Sequence, residues 1–329
     1  MRWFQWIGWV ALAGLLTPPV AAHWHEDSQA IMGTVVAAEI WEPDPQHGTH
    51  LLAAVMAEMR RIDHAFSTYR DDSELSLLNH AAPHGWVEIS PELHHLLEQS
   101  VRMSELTGGA FDITYASAGR FYDYRAGRRP DDATLQAAVA AIDYRHLELA
   151  VNPPRARYRH PAVYVDLGGI AKGYAVDRAI ELLAAAGITH AAVSAGGDTR
   201  IIGDRRGKPW TIGIRNPREA GGLSAVLPLI DTAVSTSGDY ERYFEQDGAR
   251  YHHILDPSTG RSAHAAQSVT ILGPSAILTD GLSTSVFVLG VASGLALIDQ
   301  LAGVDAIIID ADGKMHYSAD LQRLQAKDS

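Results

Sequence analysis

Strand-length apolar runs and helix-length periodic segments share this chain in an order that admits few folds. Runs suited to strands fall at residues 190–194, 199–203, 211–214, 225–235, 268–272 and 304–309. Leu52, Val55, Met59, Ile62 and Phe66 recur at helical spacing, with Gly48 and Thr49 as the expected start. Ser90 and Pro91 open a second helix that stops at Gly108 and Gly109, and residues 131–142 form a third. Residues 30–41 read as one buried strand bent at Gly33. Adjacent strands mixed with intervening helices do not build a strictly alternating parallel sheet, so the expected class is α+β, or mixed α/β. With 329 residues, 47% of them hydrophobic, the chain can bury the core of one large domain or two packed lobes. The Pro- and Arg-rich stretch at 152–160 is the expected boundary between lobes.

The first 22 residues, MRWFQWIGWVALAGLLTPPVAA, combine Arg2 with an apolar stretch, helix-breaking Pro18 and Pro19, and the small residues Val20 and Ala22. They read as a secretory signal removed after Ala22, leaving a chain that starts near His23. An uncleaved anchor is the alternative, but the stretch is shorter than the roughly 20 apolar residues that span a bilayer. No later stretch is expected to span one, so the mature protein is expected to be soluble.

Composition excludes several functions. Lys and Arg number 27 against 39 Asp and Glu, a net charge of −12 that disfavours broad contact with nucleic acid. The chain has no cysteine, so disulfides, thiolate catalysis, Cys-type zinc sites and iron–sulfur ligation are ruled out. It also lacks a GxGxxG after a strand, a GxxxxGK[ST], an HExxH and a GxSxG.

Three segments can carry chemistry. An apolar run at 162–166 enters the turn LGGIAKG, from which a helix at 174–186 departs. Two glycines before a helix start expose backbone, and Lys172 can meet a phosphate or carbonyl oxygen; the plain alternative is a tight turn with an exposed lysine. Asp280 and Thr284 lie one turn apart on one face if 277–289 is helical, and a carboxylate with a hydroxyl suits Mg²⁺. Asp280 as a simple helix cap is the alternative there. His252 and His253 precede a rigid turn, where a neutral imidazole can take a proton from a hydroxyl; strand alternation lets one of the two face a site. An imidazole of ordinary pKa would give activity rising around pH 6–7.

Eight strings in order join these segments: MGT at 32–34, STYRDDSELSLLN at 67–79, TGGAFDIT at 107–114, VDLGGIAKGYAVD at 165–177, AGGD at 195–198, STSGDYERYFE at 235–245, YHHILDPSTG at 251–260 and TDGLST at 279–284. Through them the chain resembles the ApbE-type FAD:protein FMN transferases over nearly its whole mature length. Ser194, where many relatives carry Asn, and Gly281, in place of a frequent Ala, depart from the pattern.

The resemblance implies a periplasmic, Mg²⁺-dependent enzyme that splits FAD, moves the FMN half onto a Ser or Thr of an exported or membrane-bound acceptor protein, and releases AMP. It implies two packed α+β lobes with mixed, mostly antiparallel sheets related to the T-fold, and FAD in the groove between them. Met32, Tyr69, Ala110, Phe111, Asp112, Asp166, Lys172 and Ile254 match flavin-binding positions. Gly169, through its carbonyl, Asp280 and Thr284 match Mg²⁺ ligands, and His253 matches a general base. An FAD pyrophosphatase using water, or a non-catalytic flavin-binding assembly protein, would share much of this site.

Overall fold

The computed structural model describes residues 23–327; the expected signal, residues 1–22, lies outside them. Two antiparallel strands come first, β1 (His23–Ile31) and β2 (Thr34–Glu42), where the sequence suggested one bent strand over 30–41. Met32 and Gly33 turn the chain with φ of 56° and 68°, the conformation whose twist suits a two-residue hairpin. The sequence of β1, HWHEDSQAI, is largely polar because this strand is a sheet edge, so it carries no apolar run. Next, α1 (Pro45–Phe66) starts at Pro45 rather than Gly48, because the Asp44 side chain accepts from the N–H groups of Gln46 and His47.

The helix α2 (Glu74–Ala81) was not foreseen; it is short and capped by Ser73. Strand β3 (Val87–Glu88) and α3 (Pro91–Leu106) follow, the latter capped by Ser90 as expected. Two short helices, α4 (Ala116–Gly119) and α5 (Asp132–Val139), precede β4 (Leu147–Ala150) and β5 (Arg155–Tyr158). These two strands pair with β3 in a three-stranded sheet ordered β3-β5-β4, so residues 152–158 belong to a hairpin of that sheet.

The expected strand at 162–166 is not formed. The segment is extended, but side chains meet its backbone where a neighbouring strand would. Asn79 on α2 accepts from the N–H of Val165 and donates to its carbonyl, both at 2.8 Å, and Ser117 accepts from the N–H of Tyr164 at 3.0 Å. The chain then enters α6 (Ala171–Ala185), which begins before the expected Tyr174.

Five strands follow: β6 (Ala191–Ala195), β7 (Asp198–Ile202), β8 (Trp210–Arg215), β9 (Leu223–Leu229) and β10 (Ala233–Gly238). The single strand expected at 225–235 is two, because Asp231 turns the chain at φ 51° between β9, paired with β8 in a separate ribbon, and β10. Two hairpins come next, β11 (Tyr243–Gln246) with β12 (Ala249–His252) and β13 (Leu255–Asp256) with β14 (Arg261–Ser262). The chain closes with β15 (Ala266–Gly273), α7 (Ala276–Ile298), β16 (Asp305–Asp310), β17 (Met315–Tyr317) and α8 (Ala319–Lys327).

Eight strands make the main sheet, ordered β1-β2-β6-β7-β10-β15-β16-β17, with every neighbouring pair antiparallel. Three helices pack on it: α1 against β1 and β2, α6 against β6 and β7, and α7 against β10, β15 and β16. The class is α+β, as expected.

One expectation is corrected by α7. Its 23 residues are long and apolar enough to cross a membrane, with a stretch of mean hydropathy 1.9, although no such segment was expected after the first 22 residues. The reason is burial: Leu282, Val286 and Phe287 are wholly buried in the core, and the helix is broken at Gly290, where φ is 73°.

Candidate active site

The site is built where α6 crosses α7. A Cβ on Gly173 would lie 2.2 Å from the carbonyl oxygen of Ala276 and 2.8 Å from Cβ of Asp280, so only glycine permits this approach. The bare backbone lets the Gly173 N–H donate to Asp280 Oδ2 at 2.9 Å, which satisfies a first-turn donor of α6. The first N–H groups of α7, on Ala276 and Ile277, are taken at 2.9 and 2.8 Å by Asp177 of α6. Asp280 is therefore not the cap of its own helix. One turn on, Thr284 faces the glycine turn: its Oγ1 lies 3.4 Å, and Phe111 Cε2 3.2 Å, from where a Cβ on Gly169 would stand. The shared face expected for Asp280 and Thr284 is formed, and it looks onto the segment that opens α6.

Lys172 is not an exposed turn lysine. Its ammonium is hydrogen-bonded to Asp198 and lies 3.7 Å from Asp280 Oδ1. Burial opposes its charge, but Asp198 and Asp280 outweigh burial and hold the lysine pKa above its ordinary value. Burial, then Asp198, pushes the Asp280 carboxyl up to about 7, with Lys172 and the Gly173 N–H pulling the other way. Asp198 had no role assigned from the sequence. Its string AGGD is a tight turn between β6 and β7 that seats Asp198 at the start of β7, 1% exposed. Ser237 at the end of β10 was likewise missed; its hydroxyl is 2.8 Å from that of Ser283 and 3.4 Å from that of Thr284.

These donors fit Mg²⁺. Two buried carboxylates face a single ammonium, which leaves negative charge for a cation to balance, and the other available donors are neutral oxygens. No cluster of three or more His, Cys, Asp or Glu suited to a metal occurs among the described residues.

Other matched positions divide between open surface and framework. Tyr69 is 87% exposed, next to Thr68, whose hydroxyl donates to Asp166 Oδ2 at 2.6 Å. Asp166 Oδ1 accepts from Tyr115 at 3.0 Å and from the Gly168 N–H at 2.7 Å, so much of its accepting capacity serves the chain itself. Asp112 is buried, and its two oxygens hold Thr114 and the Tyr144 N–H. Phe111 and Ile254 are core residues, while Met32 and Ala110 are half-buried.

The two histidines differ in setting, though not by strand alternation: His252 is the last residue of β12 and His253 lies in the bend just past its end. His252 is 1% exposed, donates from Nε2 to the Ala263 carbonyl at 2.6 Å, and meets the Phe287 ring edge-on at 5.5 Å. His253 is half-buried, and its Nδ1 has no hydrogen-bond partner in the structure. Burial, then Arg242, His252 and Lys172, pushes the His253 pKa down to about 3. An activity rise at pH 6–7 is therefore not expected from His253 in the free protein.

An antiparallel sheet carrying a helix pair, with a carboxylate–ammonium–hydroxyl cluster where that pair meets a glycine turn, defines the class. The profile of the ApbE family matches residues 32–308. The FAD:protein FMN transferase of Treponema pallidum (strain Nichols) is 34% identical over 313 residues, covering 89% of this chain and 86% of the relative. That of Vibrio cholerae is 34% identical over 317 residues, covering 94% and 93%. Among solved structures, the ApbE protein of Thermotoga maritima superposes with a TM-score of 0.83 at 34% identity, over 92% of this chain and 99% of that one. The chain belongs to the ApbE family.

Proposed function

We propose that this protein is a Mg²⁺-dependent FAD:protein FMN transferase that modifies a Ser or Thr of an exported or membrane-bound acceptor and releases AMP. The observation that carries the reading is the match to named FAD:protein FMN transferases over most of the chain; of the eight strings, VDLGGIAKGYAVD, AGGD and TDGLST meet in one cluster at the α6–α7 crossing.

In the reaction the acceptor hydroxyl oxygen attacks the FMN-side phosphorus of FAD. A phosphorus–oxygen bond to the acceptor forms, the bond to the bridging oxygen breaks, and AMP leaves with that oxygen and its electron pair. His253 takes the hydroxyl proton. Its imidazole is neutral, with a ring nitrogen free of protein partners, and the negative charge of bound pyrophosphate would raise its proton affinity from the low value set by burial. Asp280, Thr284 and the Gly169 carbonyl would hold Mg²⁺, which supplies neutralisation of phosphate charge. Asp198 and Lys172 fix the Asp280 carboxylate, and Tyr69, exposed beside Thr68, offers an aromatic face to a flavin or adenine ring.

The test is incubation with FAD, Mg²⁺ and a candidate acceptor, with and without chelator. A mass gain of one FMN less one water on the acceptor with stoichiometric AMP, abolished by chelator, is the expected result. Free FMN and AMP with an unmodified acceptor would instead make the protein a pyrophosphatase, and FAD binding without AMP release would make it a carrier.

A further inference from the structure

Lys172, the cation that the sequence offered to a phosphate, already faces two carboxylates. Another cation stands beside the site with its charge unmatched. In the run from Asp239 to Glu245, Asp239 is held by both nitrogens of Arg218 at 2.7 Å and by Arg250 at 3.3 Å. Glu241 pairs with Arg215 at 3.2 Å, and Glu245 with Arg250 at 3.0 Å. Arg242 has no carboxylate partner among the described residues, in a protein of net charge −12.

The backbone of Arg242 is fixed. Its carbonyl accepts the His253 N–H at 3.1 Å, and the turn before it is anchored by the Asp239 N–H to the Gln267 carbonyl at 3.1 Å. The guanidinium reaches across to the first hairpin, where Nη2 lies 3.2 Å from the position a Cβ on Gly33 would take. An exposed, unneutralised guanidinium is thus seated between the Met32–Gly33 turn and His253. Its charge bears on both His253 and Lys172.

We infer that Arg242 is a phosphate-binding residue of this site, its guanidinium fork pairing with the pyrophosphate oxygens of FAD while Lys172 serves to position Asp280. The inference rests on the flavin-transfer reading above. A planar fork with several donors suits non-bridging phosphate oxygens, and its hydrogen bonds to an anion are the strong, charge-assisted kind.

The experiment measures equilibrium binding of FAD and of riboflavin, which has the flavin ring but no phosphate, by flavin fluorescence in Mg²⁺ buffer. Arg242→Ala and Arg242→Gln should each weaken FAD binding about tenfold or more and change riboflavin binding less than about twofold. The salt dependence of FAD binding should flatten in both variants. Wild-type FAD affinity in either folded variant, or an equal loss for riboflavin, would overturn the assignment of Arg242 alone. Failure of the wild-type protein to bind FAD would overturn the flavin reading and this inference with it.

Discussion

Substituting Gly173 by alanine tests whether the α6–α7 crossing sets the geometry of the site. The new methyl carbon would stand 2.2 Å from the Ala276 carbonyl oxygen, a backbone atom that cannot swing aside, so the helices must part by roughly an ångström. Overpacking of this kind costs about 1–3 kcal/mol, and losing the Gly173 hydrogen bond to a charged carboxylate costs about 1.5–3 kcal/mol. Alanine returns about 1 kcal/mol through its better helix propensity. The net destabilisation is about 2 kcal/mol or more, on the order of 30-fold in the folding equilibrium. Moving Asp280 by the same ångström should slow flavin transfer about 10²-fold. The assay pairs urea denaturation, read as a lower midpoint at unchanged slope, with the rate of acceptor flavinylation. Gly187→Ala is the control: φ there is +87° with nothing within 4 Å, so it should lose about 1–2 kcal/mol and keep a wild-type rate. A Gly173→Ala protein with wild-type midpoint and rate would refute the reasoning.

Asp280→Ala should abolish flavin transfer while preserving the circular dichroism spectrum, and Thr284→Ala should be milder because water can replace a neutral ligand; AMP release by Asp280→Ala near the wild-type rate would remove the metal assignment. His253→Ala should keep FAD binding and lose about 10²–10⁴ in transfer, with His252→Gln costing far less, and the reverse order would send the search for a base elsewhere. Both histidines have folded pKa values, about 4 for His252 and about 3 for His253, below that of the unfolded chain. The unfolded state therefore binds protons first: their contribution to stability is complete above about pH 6.5 and is lost as pH falls toward 3. The stability difference between wild type and His253→Gln should shift against the wild type from pH 7 to pH 4, and a constant difference would contradict the burial. Mass spectrometry of the expressed protein should find a periplasmic, soluble chain starting near His23; residues 1–22 retained on a membrane-bound form would show an anchor.

The α+β class, the helix capped by Ser90, and the shared face of Asp280 and Thr284 were legible because each rests on short-range rules: a cap, a period, a four-residue spacing. The edge strand β1 was not, since a strand paired on one side with much of its length exposed needs no apolar pattern. Nor was the break between β9 and β10, where Asp231 takes a left-handed φ within an otherwise strand-like run. Segment 162–166 has a strand's composition, but its hydrogen bonds go to Asn79 and Ser117, which only the folded chain brings near. The same limit applied at the site. Residue types near one another in sequence suggested that Lys172 would be free for a phosphate, yet the fold brings Asp198 from 26 residues away and Asp280 from a separate helix to its ammonium. Which cation is matched and which carboxylate is raised are sums over neighbours distant in sequence, and those neighbours exist only once the sheet has ordered its strands.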